Sequence, residues 1–212
     1  MMTSPPTIVL ASGNSSKLRE IREILGPLPV RVLGLGDLAP VREPLEDGLT
    51  FADNARLKAL HYARATGHWC LADDSGLVVD ALGGAPGVHS ARYARDEFDR
   101  EVDRRTQAGA NNARLLRELA GVGPERRTAR FVCHLALADR DRVLLEASGS
   151  VEGIITDSPR GEGGFGYDPL FLVPEAGLTA AEMTPDRKNA LSHRGKAVRA
   201  FARMLADLLG RS

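Results

Sequence analysis

Two adjacent carboxylates, Asp73 and Asp74, follow an apolar segment of this 212-residue sequence and precede Ser75-Gly76. Carboxylate oxygens at a strand end suit Mg2+, which completes its coordination with water and substrate phosphate. Either carboxylate could instead accept a proton from an attacking water. Glu46, which lies in an acidic stretch, is a further candidate for a metal-shell oxygen, with a solvated loop as the favoured alternative. An Asx-turn that closes a hairpin explains the acidic pair equally well.

A polar turn between a β-branched segment and an amphipathic segment is a candidate anion site. The N-terminus of a helix presents unpaired N–H groups and the positive end of its dipole, so anions bind there. The spacing of a Walker A loop is absent. An ordinary helix cap with a solvated lysine is the alternative. The residues of this turn are Ser12, Gly13, Asn14, Ser15, Ser16 and Lys17.

Residues 161–166 match the pattern G-x-G-x-x-G literally. The dinucleotide fingerprint requires a helix that opens inside the pattern, but Tyr167-Asp168-Pro169 and an apolar run follow here, so we reject that interpretation. A flexible loop with these residues suits a planar base, because Phe165 offers a face for stacking and Asp168 offers a carboxylate for edge hydrogen bonds. A β-turn with core aromatics is the alternative.

Lysine is scarce in this chain, which has four lysines among its 28 basic residues. Arginine and lysine are not interchangeable at a phosphate or proton-transfer site, so each retained lysine is a candidate functional group, with chance retention as the alternative. Two of them lie in a basic C-terminal segment with His193 and Arg194, whose N–H groups suit carbonyl or phosphate oxygens. A solvated helix face explains this segment equally well. The four lysines are Lys17, Lys58, Lys188 and Lys196.

Alternating apolar patterns predict the elements that position these residues. The predicted strands cover residues 7–11, 31–35, 69–72 and 77–82, with a hairpin over 129–138 and 143–150. The predicted helices run from the polar turn to residue 25, from Thr50 to Thr66, over 96–120 and over 193–209. We find no repeat and no break in composition. Strands that alternate with helices, together with a hairpin, favour one domain with a mixed α/β sheet.

The overall composition excludes several classes of protein. The 28 basic residues balance 28 acidic ones, so the formal net charge is zero and a histone-like protein is excluded. No apolar run approaches the ~20 residues that a bilayer span needs. Cys70 and Cys133 lie in apolar stretches, which fits buried thiols in a reduced compartment. We therefore expect a soluble cytoplasmic domain that contacts neither a membrane nor nucleic acid.

Six ordered motifs closely resemble the inosine triphosphate pyrophosphatase family, the dITP/XTP pyrophosphatases, over about residues 7 to 209. The resemblance implies an α/β fold with an elongated mixed β-sheet flanked by helices, and two lobes with a central cleft. It implies a single nucleoside triphosphate pyrophosphatase domain over residues 1–212, a homodimer and a Mg2+ cofactor. The motifs are Ser12-Gly13-Asn14-x-x-Lys17, Gly48-x-Thr50-Phe51-x-x-Asn54-Ala55, Ala72-Asp73-Asp74-Ser75-Gly76-Leu77, Leu82-Gly83-Gly84-Ala85-Pro86-Gly87, Gly163-Gly164-Phe165-Gly166-Tyr167-Asp168-Pro169 and Ser192-His193-Arg194-Gly195.

The reaction implied by the resemblance converts a non-standard purine nucleoside triphosphate (ITP, dITP or XTP) and water into the monophosphate and pyrophosphate. Residues 12–17 would bind the triphosphate. Asp74 would accept a proton and bind the metal, with Asp73 and Glu46 as weaker metal ligands. The other residues that would contact substrate are Ser75, Phe165, Gly166, Tyr167, Asp168 and Lys188, with His193 and Arg194 at the base edge.

Hydrogen-bond donors at the base edge explain a preference for 6-oxopurines. A 6-oxo group accepts hydrogen bonds from them. The 6-amino group of adenine is itself a donor and would face the protein's donors, a mismatch that costs roughly 1–3 kcal/mol. Two other interpretations remain open. One is a Maf-type pyrophosphatase that acts on modified pyrimidine nucleotides, and the other is a non-catalytic nucleotide- or RNA-binding module that uses the basic C-terminal helix.

Overall fold

The computed structural model describes residues 5–13 and 15–210, which form a mixed sheet with helices. Five 3-10 turns, over residues 35–37, 80–82, 87–92, 95–97 and 124–126, complete the described regular structure. The strands are β1 (Thr7–Leu10), β2 (Arg31–Gly34), β3 (Trp69–Val79), β4 (Thr128–Ala138), β5 (Val143–Ile155), β6 (Phe171–Val173) and β7 (Leu178–Thr179). The helices are α1 (Ser15–Leu25), α2 (Phe51–Thr66), α3 (Arg104–Glu118), α4 (Pro185–Leu191) and α5 (His193–Gly210).

The strands are ordered β2-β1-β3-β4-β5-β6-β7 in one sheet. β1 pairs in parallel with both β2 and β3, and Leu10 lies opposite Leu71. β6 pairs antiparallel with β5 and with β7. The predicted mixed α/β sheet is therefore confirmed, while the predicted cleft stays a prediction.

The chain divides into two compact units. The first unit comprises the described residues of 1–74, 133–149 and 194–212, and the second comprises Ser75–Val132 and Ser150–His193. In the first unit, α1 and α5 pack on one face of the strands through side chains such as Ile21 and Phe201, while α2 packs on the other face through Ala55 and Ala59. The second unit has its own core, which includes Leu77, Leu115 and Phe171.

Local sequence signals account for several of these elements. Thr50, where the helix was predicted to start, caps α2 by accepting a hydrogen bond from the Asp53 amide at 3.1 Å. Asp139 closes the hairpin between β4 and β5 by accepting bonds from the amides of Asp141 and Arg142. Helix α4 was not predicted, although its cap at Thr184 and the following Pro185 are a recognisable start signal.

Some predictions of secondary structure and burial were wrong. The helix predicted over 96–120 covers only Arg104–Glu118, and the strand predicted over 77–82 ends at Val79. Residues 73–76 form no turn, because β3 runs without interruption from Trp69 to Val79. The spacing of the apolar residues at 197, 200, 201, 204, 205 and 208 predicts one shared apolar face on the last helix, but Met204 is 39% exposed. No helix in the described part of the chain is long and apolar enough to cross a bilayer.

Candidate active site

The continuity of β3 determines how Asp73 and Asp74 are used. Successive side chains of a strand point to opposite faces of the sheet. Asp73 accordingly contacts Lys17 of α1 and Arg194 of α5, whereas Asp74 contacts α2. The two carboxylates are therefore separated onto two faces of the first unit, and each has its own cationic partners.

Asp73 lies in a buried cluster with a net positive charge. Lys17 Nζ donates to both carboxylate oxygens of Asp73, at 2.9 and 2.8 Å. Arg194 Nε lies 3.8 Å from Asp73 Oδ2 and is a buried donor without a hydrogen-bond partner among the described residues. Burial tends to raise the pKa of Asp73, but Lys17 and Arg194 outweigh it and hold that pKa at about 2. Asp73 is therefore ionised at neutral pH and is a weak base.

Asp74 lies in a second cluster, whose net charge is negative. Its carboxylate accepts bonds from Lys58 Nζ at 3.1 Å and from Asn54 Nδ2 at 3.2 Å. The same Lys58 ammonium donates to Glu46 Oε2 at 3.2 Å. Burial raises the pKa of Asp74 despite the opposing effects of Lys58 and Asn54. A raised pKa makes Asp74 a better proton acceptor than Asp73 near neutral pH.

Glu46 lies on a segment without regular structure, and α2 holds that segment in place. The Gly48 amide donates to Asn54 Oδ1 at 2.8 Å, and His61 Nε2 lies 2.7 Å from the Arg42 carbonyl oxygen. A Cβ at Gly48 would collide with the Asn54 side chain, so this close approach requires glycine. Asn54 thereby connects the Glu46 segment to Asp74.

The predicted anion-binding turn lies at the carboxyl end of β1. Ser12 and Gly13 directly follow the strand, and α1 begins at Ser15. Because Leu10 pairs with Leu71, Ser12 comes level with Asp73 on the neighbouring strand. Ligands of parallel α/β sheets bind outside this end of the strands, where helix N-termini attract anions. Asn14 and the side chains of Ser15 and Ser16 lie outside the described part of the chain.

The carboxylates of Asp74 and Glu46, beside α2, fit a Mg2+ ion that is also bound by phosphate oxygens. Among the described residues, no group of three or more His, Cys, Asp or Glu side chains converges as a complete protein site for a metal would. Mg2+ bound with substrate needs only one or two carboxylates, since phosphate and water supply the remaining oxygens. Asp74 and Glu46 both contact one cation, the Lys58 ammonium. Asp73 has less capacity left, because both of its oxygens accept from Lys17.

In the second unit, the glycine-rich loop (residues 161–169) is organised by Asp168. Asp168 Oδ2 accepts from the Phe165 amide at 2.6 Å and from Lys188 Nζ at 2.5 Å. Gly164 has a φ of +75°, and a Cβ there would collide with the Asp168 carboxylate. The predicted loop therefore holds its carboxylate in a compact turn, and no helix opens within it.

The two aromatic residues of this loop have different environments. The Phe165 side chain is 66% exposed, and Lys188 Nζ lies 5.0 Å from its ring centroid. Tyr167 is 4% exposed, and its hydroxyl donates to the Ser90 carbonyl oxygen at 2.9 Å. Phe165 is thus available for stacking, whereas Tyr167 is part of the core. Gly166 also has a positive φ, of +63°.

The remaining predicted residues lie at two separate positions in the sequence, 74–75 and 193–194, where the division between the two units falls. Ser75, the first residue of the second unit, is half-buried on β3. The His193 ring stacks on Phe131, with ring centroids 5.1 Å apart. Arg194, the next residue, belongs to the first unit and lies beside Asp73.

Sequence reasoning assigned no role to Lys58 or Asn54, although both contact Asp74. Two signals were present in the sequence. Lys58 is one of only four lysines, and Asn54 belongs to the motif that begins at Gly48. Asn54 and Lys58 are four residues apart on α2, so they lie on the same face of the helix.

Comparisons with known proteins agree over nearly the whole chain. A family model described as the Ham1 family matches residues 8–204. A dITP/XTP pyrophosphatase of Thermus thermophilus is 52% identical over 200 residues, which cover 94% of this chain and 92% of that protein. One of Desulforamulus reducens is 49% identical over 201 residues, which cover 95% of this chain and 96% of that protein.

Two solved structures are similar in fold as well as in sequence. A HAM1 protein from Coxiella burnetii aligns with a TM-score of 0.85 and 40% identity, over 95% of this chain and 99% of that one. A nucleoside-triphosphatase / dITP/XTP pyrophosphatase from Mycobacterium abscessus aligns with a TM-score of 0.76 and 42% identity, over 92% of this chain and 98% of that one.

Proposed function

Because this chain belongs to the Ham1 family and is about half identical to dITP/XTP pyrophosphatases, we propose that it removes ITP, dITP and XTP from the nucleotide pool. It is a nucleoside triphosphate pyrophosphatase, which hydrolyses non-standard purine triphosphates to the monophosphate and pyrophosphate. The observation that supports this most directly is the separation of Asp73 and Asp74 on β3. One face has a net positive cluster suited to phosphate, and the other has a net negative cluster suited to a cation.

On the positive face, Lys17 contacts the phosphates. Asp73 keeps Lys17 and Arg194 in place and is ionised throughout the physiological pH range because its pKa is about 2. The amides at the start of α1 and the Ser12 hydroxyl add donors for phosphate oxygens. Asp73 acts as a positioning residue in this scheme.

On the negative face, Asp74 accepts the proton of the attacking water. Burial raises its pKa toward the value that suits a general base, and the bonds from Lys58 and Asn54 fix its orientation. Lys58 remains protonated, since Asp74 and Glu46 outweigh its burial and raise its pKa. Proton transfer therefore goes to Asp74 and not to the lysine.

Asp74 and Glu46 would hold the Mg2+ ion. When bound, the ion neutralises charge that develops on the phosphates and on the leaving pyrophosphate. Lys58 holds the two carboxylates together, at 3.1 and 3.2 Å from its ammonium. Such a pair of carboxylates is sufficient for an ion that also binds a triphosphate.

The purine base is bound by the exposed ring of Phe165, and the sugar and base edges by Asp168 and Lys188. Arg194 Nε, which makes no hydrogen bond to the described residues, is a donor suited to an acceptor oxygen of the substrate, such as the 6-oxo group. Substitution of Arg194 by Ala should then lower ITP turnover more than ATP turnover. Equal losses for the two substrates would contradict this assignment of Arg194.

We further propose that residues 1–212 act as one functional domain, as a homodimer in the cytoplasm. The family model extends through both units, which supports one domain. The homodimer is supported by the family resemblance, and size-exclusion chromatography with light scattering tests it. Buried thiols at Cys70 and Cys133, in different core clusters, fit a reducing compartment. The zero net charge argues against a nucleic-acid partner.

Product analysis with ITP, ATP and UTP, each with Mg2+ and with EDTA, tests the proposed reaction. We expect pyrophosphate from ITP, little product from ATP or UTP, and loss of the reaction in EDTA. Release of single phosphate would mean attack at the γ position, and a preference for UTP would favour the Maf-type alternative. Binding of ITP without any product would identify a binding module.

A further inference from the structure

We propose that Asn111 and Asn112, adjacent on α3, are positioning residues that hold the glycine-rich loop in the conformation that binds the purine base. The inference rests on the proposed function, because it takes Phe165 and Asp168 as the groups that contact the substrate. Neither asparagine belongs to a motif that carries the family resemblance. Adjacent helix positions point about 100° apart, so the two amides can contact different segments.

Asn112 contacts the loop directly. Its Nδ2 donates to the Gly166 carbonyl oxygen at 3.0 Å. Gly166 has a φ of +63° and lies between Phe165 and Tyr167, so this bond restrains the backbone at the centre of the loop. The bond connects residues 54 positions apart in the sequence, and it fixes the loop to a helix of 15 residues.

Asn111 acts on the loop through a shared acceptor. The Ser90 carbonyl oxygen accepts from Asn111 Nδ2 at 3.2 Å and from the Tyr167 hydroxyl at 2.9 Å. Asn111 Oδ1 in turn accepts from the Ala94 amide at 2.8 Å and from Gln107 at 2.9 Å. Asn111 is 4% exposed and hydrogen-bonded through both of its amide atoms, so it holds the Ser90 carbonyl oxygen to which Tyr167 also donates.

The same network connects to the strand that carries the two carboxylates. Ser90 Oγ accepts from the Leu77 amide of β3 at 2.9 Å and donates to the Gly87 carbonyl oxygen at 2.6 Å. The contact of Tyr167 with Ser90 therefore places the loop relative to a residue three positions after Asp74. Within the second unit, the loop is attached to β3 and to α3 by neutral hydrogen bonds.

Substitution of Asn112 can change the position of the loop without a large change in the free energy of unfolding. Its Oδ1 is buried and has no hydrogen-bond partner among the described residues. Replacement by Ala removes the bond to Gly166 but also removes this unsatisfied acceptor, so the two effects on the free energy of unfolding oppose each other. We expect the loop to lose its anchor while the fold is retained.

The test compares Asn112→Ala and Tyr167→Phe with the wild type in ITP hydrolysis. The expected result is a KM for ITP raised about three- to tenfold in each variant, the effect of one neutral hydrogen bond. The kcat should stay within about twofold, because Asp74 and Lys58 are untouched. The inhibition constant of pyrophosphate, a product without a base, should not change.

Arg117→Ala is the matched control, since Arg117 is on the same helix but contacts the exposed Glu97 and not the loop. It should keep the wild-type KM. An unchanged KM in Asn112→Ala, or weaker pyrophosphate inhibition together with a lower melting temperature, overturns the proposal. If the wild type releases no pyrophosphate from ITP, the proposed function itself fails and this inference fails with it.

Discussion

In the first unit, the side chains proposed to act on the phosphates and on water are held by two clusters of ion pairs, whereas in the second unit the loop proposed to hold the base combines one ion pair, Lys188 with Asp168, with backbone and amide hydrogen bonds. Asp73 is 7% exposed and contacts two cations. Phe165 is 66% exposed, and its loop is anchored at Gly166 by Asn112. The two sets of residues are thus built for different tasks.

The physical reason for this difference is the protonation state. A proton acceptor and a phosphate-binding cation must keep a defined charge, and neighbouring charges control pKa values most strongly where water is excluded. Stacking on a base requires only an apolar face in the right place. Neutral hydrogen bonds are sufficient to hold that face in position. Substitutions in the first unit should therefore change kcat or pH dependence, and those in the second unit should change KM.

The largest expected effect is that of Asp74→Asn. The variant keeps the shape of the side chain and an oxygen for Lys58 and Asn54, but it cannot accept a proton. We expect kcat for ITP to fall at least ~100-fold, with a KM within a few-fold of the wild type. Steady-state kinetics would show this. Asp37→Asn, which alters an exposed acid paired with Arg22, should have near wild-type kinetics, and a similar result for Asp74→Asn would remove Asp74 from the mechanism.

Asp73→Asn should change stability in a pH-dependent way. The folded pKa of about 2 lies below the ordinary value of 3.8, so ionised Asp73 stabilises the fold above about pH 4, and this contribution is lost as the pH falls toward 2. A difference of this size corresponds to about 2 kcal/mol in the free energy of unfolding. Urea unfolding in EDTA at pH 7 and at pH 3 would measure it. Wild type and variant should differ more at pH 7 than at pH 3, and an equal difference at both values would contradict the prediction.

Much of the framework around these residues could be predicted from local patterns. The turn after β1, the cap of α2 at Thr50 and the hairpin between β4 and β5 depend on neighbouring residues, and the structure agrees with them. The continuity of β3 could not be predicted in this way. Asp, Ser and Gly favour turns when considered locally. β3 lies between β1 and β4 in the sheet, and pairing with strands that are distant in the sequence overrides this local preference. The ion pair of Asp73 with Lys17, which is 56 positions away, could not be predicted locally either.

The pairing of Lys58 with Asp74 and Glu46 has the same origin. No periodic pattern connects a helix residue with a strand carboxylate 16 positions later and a loop carboxylate 12 positions earlier. Asn111 and Asn112 also look like ordinary polar helix residues in the sequence. Their role depends on segments that the fold brings to α3 from both directions along the chain.

A substitution in the second unit, Phe165→Ala, should change KM and not kcat. Phe165→Ala removes an exposed ring that contributes little to the core, so folding should be unaffected. Loss of a stacking platform costs roughly 1–3 kcal/mol per base, which corresponds to a KM for ITP raised about tenfold or more. The kcat should change less than about threefold. Leu49, which is 92% exposed in the first unit, is the matched control, and Leu49→Ala should leave KM unchanged.

The smallest effect is expected for Glu146→Gln, which tests burial and charge separately within the first unit. Glu146 forms an ion pair with Arg56 at 2.7 Å and contacts His134 at 2.9 Å, so its contacts are as short as those of Asp73. The Glu146 side chain is 32% exposed, however, and its partner Arg56 is 44% exposed. Water screens such a pair, and Glu146→Gln should cost at most about 1 kcal/mol in urea unfolding at pH 7. A loss as large as that of Asp73→Asn would mean that charge pairing, and not burial, accounts for the contribution of Asp73 to stability.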